Sequence, residues 1–263
     1  MSHISFSALK NWNQCPYYYK LTYVDRVKKF LGNQYTAFGT ALHSACENKV
    51  LNESLNEQEH FTQAFLQELQ NLPEDVRLGI PEKDIEKMHV SGKELATLAI
   101  PGLHDMFGDD FEVVSTEEQL YYDIQGAIER DTDYKFKGFI DLVVKTPDGK
   151  YHIIDWKSCS WGWDARRRSE PMTTYQLTYY KYFFAKKHDI PMENIETYFG
   201  LLKRTAKTDR VEIFRVTSGP KKVKNSLTLL NRAIANIQSG RFIKNRLSCS
   251  KCEFHNTEEC PGR

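Results

Sequence analysis

Two short apolar runs in the middle of the chain, separated by turn chemistry, set the pattern that the remaining elements surround. Residues 138–145 (GFIDLVVK) are rich in β-branched and aromatic side chains, and residues 151–156 (YHIIDW) form a second such run. Between them, Thr146, Pro147, Asp148 and Gly149 supply a fixed φ at proline and a free φ at glycine. The pattern predicts a β-hairpin over 138–157. Each strand carries an acid where a core strand should carry none: Asp141 follows Phe139 and Ile140, and Asp155 follows Ile153 and Ile154. The strand period of two puts Asp155 and Lys157 on one face and Trp156 on the other. Simple register would bring Asp141 beside Asp155.

Helical spacing dominates the flanks. Phe6, Leu9 and Trp12 recur at helical intervals, with Ser5 or Ser7 as cap and Cys15-Pro16 as stop. Residues 36–50 form a second helix, on which Gly39, His43 and Glu47 share a face at intervals of four. Residues 57–71 and about 82–107 read as further helices, punctuated by Pro73 and Pro81; the stretch 52–108 is expected to be a helical insertion or cover. From 111 the pattern becomes extended, with strands over 111–114 and 119–124 leading into the hairpin. After it come a loop (WGWDARRRSEPM), a tyrosine-rich helix over 172–187, strands over 198–202 and 211–216, and an amphipathic helix over 219–238. Helices, strands and helices in this order predict an α/β chain with a mixed central sheet flanked by helices, after an N-terminal helical segment.

Composition narrows the classes. A chain of 263 residues makes one large domain, and 1–263 is read as one. The net charge of +1 gives no bulk basic signature, so nucleic-acid affinity must come from local patches. No apolar run reaches membrane-spanning length, so no membrane partner is expected. The opening MSHISFSALKNW lacks the charged-then-apolar order of a signal peptide. A cytoplasmic location is expected (the host's, if a phage encodes the chain), where six cysteines would not form a disulfide framework.

Two buried carboxylates close together repel, and a divalent cation is the usual remedy. A lysine two residues away can steady or deprotonate a water. That combination suits metal-dependent hydrolysis, with phosphodiesters the natural substrates. The alternative is a surface hairpin with a solvated Asp–Lys pair.

Asp141 followed by Asp155-Trp156-Lys157 resembles the D…(D/E)xK signature of the PD-(D/E)XK nuclease superfamily. Upstream, Gly39-x3-His43-x3-Glu47 is similar to the helix motif of its RecB-like branch; downstream, Gln176-x3-Tyr180 resembles that branch's QxxxY motif. The opening SFSALKNWNQCPYYYKL also resembles the start of these domains. The resemblance implies a restriction-endonuclease-like core and a metal-dependent deoxyribonuclease, most naturally an exonuclease on single-stranded or frayed DNA ends in recombination, repair or phage DNA processing. It implies that His43, Asp141, Asp155 and the Trp156 carbonyl bind Mg²⁺ or Mn²⁺, and that Lys157 orients the attacking water. Glu47 would orient His43 or sit solvated. Gln176 and Tyr180 would lie beside the catalytic centre; the competing reading is that Tyr175, Tyr179, Tyr180 and Phe183 form a core stripe.

Cys249-x2-Cys252-x7-Cys260, with Cys15 as a fourth thiolate, has metal-ligand spacing that suits zinc or an iron–sulfur cluster. AddB-type and CRISPR-adaptation nucleases hold a four-iron, four-sulfur cluster with one N-terminal and three C-terminal cysteines. The resemblance therefore implies a [4Fe–4S] cluster region made of Cys15 and residues 245–263; with zinc, His255 could replace one thiolate. Cys46 reads as a small core residue, and Cys159 receives no role. Trp161, Trp163, Arg166, Arg167, Arg168, Lys203 and Arg204 are candidate DNA contacts, guanidinium and ammonium groups for phosphates and indoles for unpaired bases. A solvated basic face is the competing reading. Two rival functions stay open: a nuclease subunit active only with a helicase, integrase or other recombination partner, and a zinc-stapled DNA-binding module without cleavage.

Overall fold

A computed structural model describes residues 2–27 and 30–262. In chain order the elements are β1 (His3–Ser5), α1 (Phe6–Gln14), α2 (Pro16–Tyr19), a π-helix (Lys20–Val24), α3 (Gln34–Leu51), α4 (Glu57–Gln70), α5 (Glu74–Leu78) and α6 (Glu82–Phe107). Then come β2 (Glu112–Asp123), β3 (Lys135–Lys145), β4 (Tyr151–Cys159), α7 (Ala165–Ser169), α8 (Pro171–His188), β5 (Ile195–Lys203), β6 (Val211–Arg215), α9 (Pro220–Gln238) and a 3₁₀ turn (Arg246–Lys251). The predicted strands over 111–114 and 119–124 are one continuous strand, and the predicted loop after the hairpin contains α7. The chain packs as two compact units, one of Met1–Leu31, Leu120–Gly138 and Gly219–Arg263, the other of Gly32–Gln119 and Phe139–Ser218.

The first unit joins both ends of the chain. β1 pairs in parallel with Lys135–Lys137, and α1 packs on α9. Ser5 caps α1 by accepting a hydrogen bond from the Ala8 amide. The predicted stop at Cys15-Pro16 is real, and proline then serves as the first residue of α2. Tyr17 Oη donates to the Glu259 carbonyl at 3.0 Å, Tyr18 Oη to Glu253 at 2.8 Å, and Asn245 Nδ2 to the Gln14 carbonyl at 2.8 Å. The cysteine-rich segment, described through Gly262, is thereby fastened beside Cys15.

The second unit holds a mixed sheet. β3 and β4 are antiparallel with Leu142 opposite Ile154, β4 and β5 parallel, and β5 and β6 antiparallel. α8 makes the crossover between the parallel strands, a connection too long for a tight turn. Leu142, Val144, Ile154, Trp156, Tyr198 and Leu202 pack against α3, α4 and α6, where Phe38, Phe61, Phe65 and Leu95 are fully buried. The helices between 57 and 107 are thus walls of the core as well as a cover. Gly92 makes this possible: a Cβ there would lie 1.9 Å from the Phe61 ring. α8 lies against β4 and β5, with Leu177, Tyr179, Phe183 and Phe184 buried.

Candidate active site

The hairpin register puts the two unexpected acids side by side. With Leu142 opposite Ile154, one further step brings Asp141 level with Asp155. Both are buried, Asp141 at 8% exposure and Asp155 at 1%. Burial pushes each carboxyl up to about 6; the Lys157 ammonium opposes that rise at both. Asp141 Oδ2 accepts the Trp156 amide at 2.7 Å. Asp155 Oδ1 accepts from Gln176 Nε2 at 2.9 Å, and its Oδ2 is ion-paired with Lys157 without an aligned hydrogen bond. The same Gln176 nitrogen donates to Tyr180 Oη at 3.1 Å. The QxxxY pair is therefore a clamp on Asp155, and Tyr180 is also part of the buried stripe.

Lys157 stays charged. Burial pushes its pKa down, but Asp155 and Asp141 outweigh that and the net direction is upward. A protonated ammonium offsets negative charge and donates hydrogen bonds; it does not remove a proton from water. Trp156 faces the helices, with its ring filling the space left by Gly200.

α3 brings the third set of groups. Asn33 caps it in a reciprocal capping box with Thr36, fixing where the helix starts. His43 Nδ1 then lies 3.4 Å from Asp141 Oδ2. Burial and the Lys157 charge push the imidazole down to about 4, so it is neutral and able to ligate. The Trp156 carbonyl also reaches this ring. Among the described residues, ligand atoms of His43, Glu47 and Asp141 all lie within 4.8 Å of one another. Asp155 stands beside this trio rather than within it. Glu47 is a closer participant than its motif position alone indicated. Burial pushes its carboxyl up to about 8, with Glu117 next in effect, and its Oε1 is buried without a hydrogen bond.

Glu117 was not visible as a site residue in the sequence. It sits within β2 at a left-handed φ of 47°, a conformation costly for a non-glycine residue and concentrated at functional sites. The only trace in the sequence is the polar run Ser115-Thr116-Glu117-Glu118 between apolar strand halves.

The candidate DNA contacts separate into two groups. Trp161 is 65% exposed, and Arg166 and Arg167 are exposed on α7, Arg167 lying 4.5 Å over the Trp163 ring. Trp163 is buried against Phe199 and Phe214, so its indole does not present a face to solvent. Arg168 donates to the Trp163 carbonyl and pairs with Glu212 at 2.7 Å, and the same carboxylate takes Lys203, which is buried. Arg204 donates to Ser160 Oγ at 2.9 Å and lies over Tyr35.

In the first unit, Cys15, Cys249, Cys252 and Cys260 line one cavity of about 380 Å³, together with His255. The Asn245 amide donates to Cys15 Sγ at 3.3 Å. Burial pushes the Cys252 thiol up, and the other three cysteines add to that shift. No three of the sulfurs come within 4.8 Å of one another. Cys46 is buried in the core, and Cys159, at the end of β4, is half-buried.

A mixed sheet carrying paired buried acids, a charged lysine two residues on and a helix-borne histidine is an arrangement suited to metal-assisted hydrolysis. The chain belongs to the PD-(D/E)XK nuclease superfamily, whose sequence model matches residues 3–257. Among solved structures it is similar to a “putative exonuclease” from Eubacterium rectale, at 13% identity over 96% of this chain and 86% of that one, with a TM-score of 0.61. That likeness concerns the fold. A second structure, SSO0001, aligns over 94% of this chain and 93% of its own at 15% identity and a TM-score of 0.36, too distant to bear on the fold. No curated protein matches. Among the described residues, no helix is long and apolar enough to cross a membrane.

Proposed function

We propose that this chain is a divalent-metal-dependent DNA nuclease acting as an exonuclease on single-stranded or frayed ends. The observation that carries the reading is the convergence of His43, Glu47 and Asp141 beside an Asp155–Lys157 pair that Gln176 holds in place. The donor set fits Mg²⁺ or Mn²⁺. It is mostly carboxylate oxygen with one neutral imidazole, and a buried Glu47 oxygen lacks a hydrogen bond. His43, Glu47, Asp141 and Asp155, with the Trp156 carbonyl, would hold it. When bound, the cation supplies Lewis-acid polarisation of the phosphoryl oxygen and lowers the pKa of water.

The chain's own groups do the rest. Lys157 donates to the attacking water and offsets the charge that develops on the non-bridging oxygens. Gln176 and Tyr180 fix the Asp155 rotamer, and the Trp156 amide fixes Asp141. The four cysteines would hold a [4Fe–4S] cluster that fastens the chain ends. The layout of one N-terminal and three C-terminal thiols, all lining one cavity, supports this reading. The Asn245 amide on Cys15 Sγ is the kind of contact that stabilises thiolates in such sites. Exposed Trp161, Arg166 and Arg167 are the candidate strand contacts, and a helicase or recombination protein remains a natural partner class for an end-processing enzyme.

Incubating the protein with Mn²⁺ and equal amounts of linear and circular single-stranded DNA tests the exonuclease reading. Linear DNA should shorten progressively while circles survive. Nicking of circles at the same rate would make the enzyme an endonuclease.

A further inference from the structure

Tyr35 and Gly39 continue, toward the start of α3, the row of positions that carries His43 and Glu47, each step of four turning about 40° round the helix axis. At 1.5 Å per residue, Tyr35 stands about 12 Å from His43 along the helix axis. Gly39, between them, approaches the end of β4 closely: a Cβ there would lie 3.3 Å from Ser158 Oγ, one residue past Lys157. Tyr35 is 52% exposed. The Arg204 guanidinium lies 4.6 Å from its ring centroid and 5.6 Å from that of Phe38. Arg204 is itself fixed, its Nη2 donating to Ser160 Oγ at 2.9 Å and its backbone amide to the Cys159 carbonyl at 2.8 Å. A positioned aromatic–cation pair thus stands near the end of the catalytic strand, about two turns of α3 before His43, with much of the ring in water.

We infer that Tyr35, steadied by Arg204, is a stacking platform for an unpaired nucleobase of the substrate strand a few nucleotides from the scissile phosphate. The inference rests on the nuclease reading and deepens it. Every base has a π-face, so the platform is indifferent to sequence. In a duplex those faces are covered by neighbouring base pairs, so the platform discriminates for single strands. The guanidinium adds positive charge where the adjoining phosphate would pass.

Fluorescence anisotropy with a labelled single-stranded oligonucleotide tests this, using Lys157→Ala protein with Mn²⁺ so that the ligand survives. Adding Tyr35→Ala should weaken binding about tenfold or more, the effect expected from losing one base–aromatic stack. Tyr35→Leu, which keeps apolar bulk but has no π-face, should weaken it equally, and Tyr35→Trp should bind like the parent. Affinity for a blunt hairpin closed by a non-nucleotide linker, with every base paired, should not change. Single-strand binding unaltered by both Ala and Leu, equal losses on the hairpin, or no single-strand binding by the parent would overturn the platform. Wild-type cleavage assayed alongside separates the two claims. Binding that needs Tyr35 without any cleavage would refute the nuclease reading alone; Lys157-dependent cleavage with binding indifferent to Tyr35 would refute the platform alone.

Discussion

Gln176 illustrates how individual side chains make this site. An amide among tyrosines needs partners, and here one nitrogen donates to both Asp155 and Tyr180. The site's charges are balanced against burial in the same way. Asp141 and Asp155 are each raised by burial to about 6, above the 3.8 of an exposed aspartate. Between about pH 4 and 6 the folded chain therefore binds more protons than the unfolded one, and without cation its stability falls as pH rises through that window. A bound cation requires the ionised carboxylates, Glu47 (raised to about 8) among them, so its affinity falls as pH drops from about 8 through 6. His43, lowered to about 4, is neutral throughout and does not oppose binding. The Mn²⁺-induced rise in melting temperature should therefore be larger at pH 7.5 than at pH 5. An equal rise at both values would show that these carboxylates are not the ligands.

Elements carry the site through packing. β5 pairs with β4 so that Gly200 is level with Trp156, and a Cβ at Gly200 would lie 2.3 Å from the indole. Trp156 also supplies the amide that pins Asp141. Gly200→Ala should therefore cost about 1–3 kcal/mol by overpacking and lower Mn²⁺ affinity as well. Calorimetric melting with and without Mn²⁺ checks this; an unchanged melting temperature would contradict it. The hairpin was legible because Asp141 and Asp155 break otherwise apolar strands, and α3 was legible from its spacing of four. Other elements left weaker traces. β1 has only three residues, too few to establish a period. β2 read as two strands because its centre is polar and carries the left-handed Glu117. Burial of Trp163 under β5 and β6 depends on tertiary contacts with Phe199 and Phe214, which local spacing does not encode.

Across the whole molecule, Cys15 lies far in sequence from Cys249, Cys252 and Cys260, yet all four border one cavity. The proposed cluster rests on that convergence of one N-terminal and three C-terminal thiols. Protein purified without oxygen should be brown and contain iron and sulfide. Cys15→Ala should lose the colour and lower the melting temperature while leaving the catalytic strands' residues untouched. Colourless protein with one zinc would contradict the cluster. The near-neutral charge of +1 is consistent with a chain whose substrate contacts are local. The same carboxylate, Glu212, that ties down Arg168 and Lys203 leaves Arg166 and Arg167 as the exposed members of the basic run.

The most direct measurement is cleavage of end-labelled single-stranded DNA with Mn²⁺, comparing wild type with Lys157→Ala and Asp155→Ala prepared identically. Metal-dependent shortening by wild type, with a loss of about a hundredfold or more in both variants, is the expected outcome when a charge-stabilising or metal-holding group is removed. Equal cleavage by all three proteins would mean that the paired acids and Lys157 are not the catalytic centre.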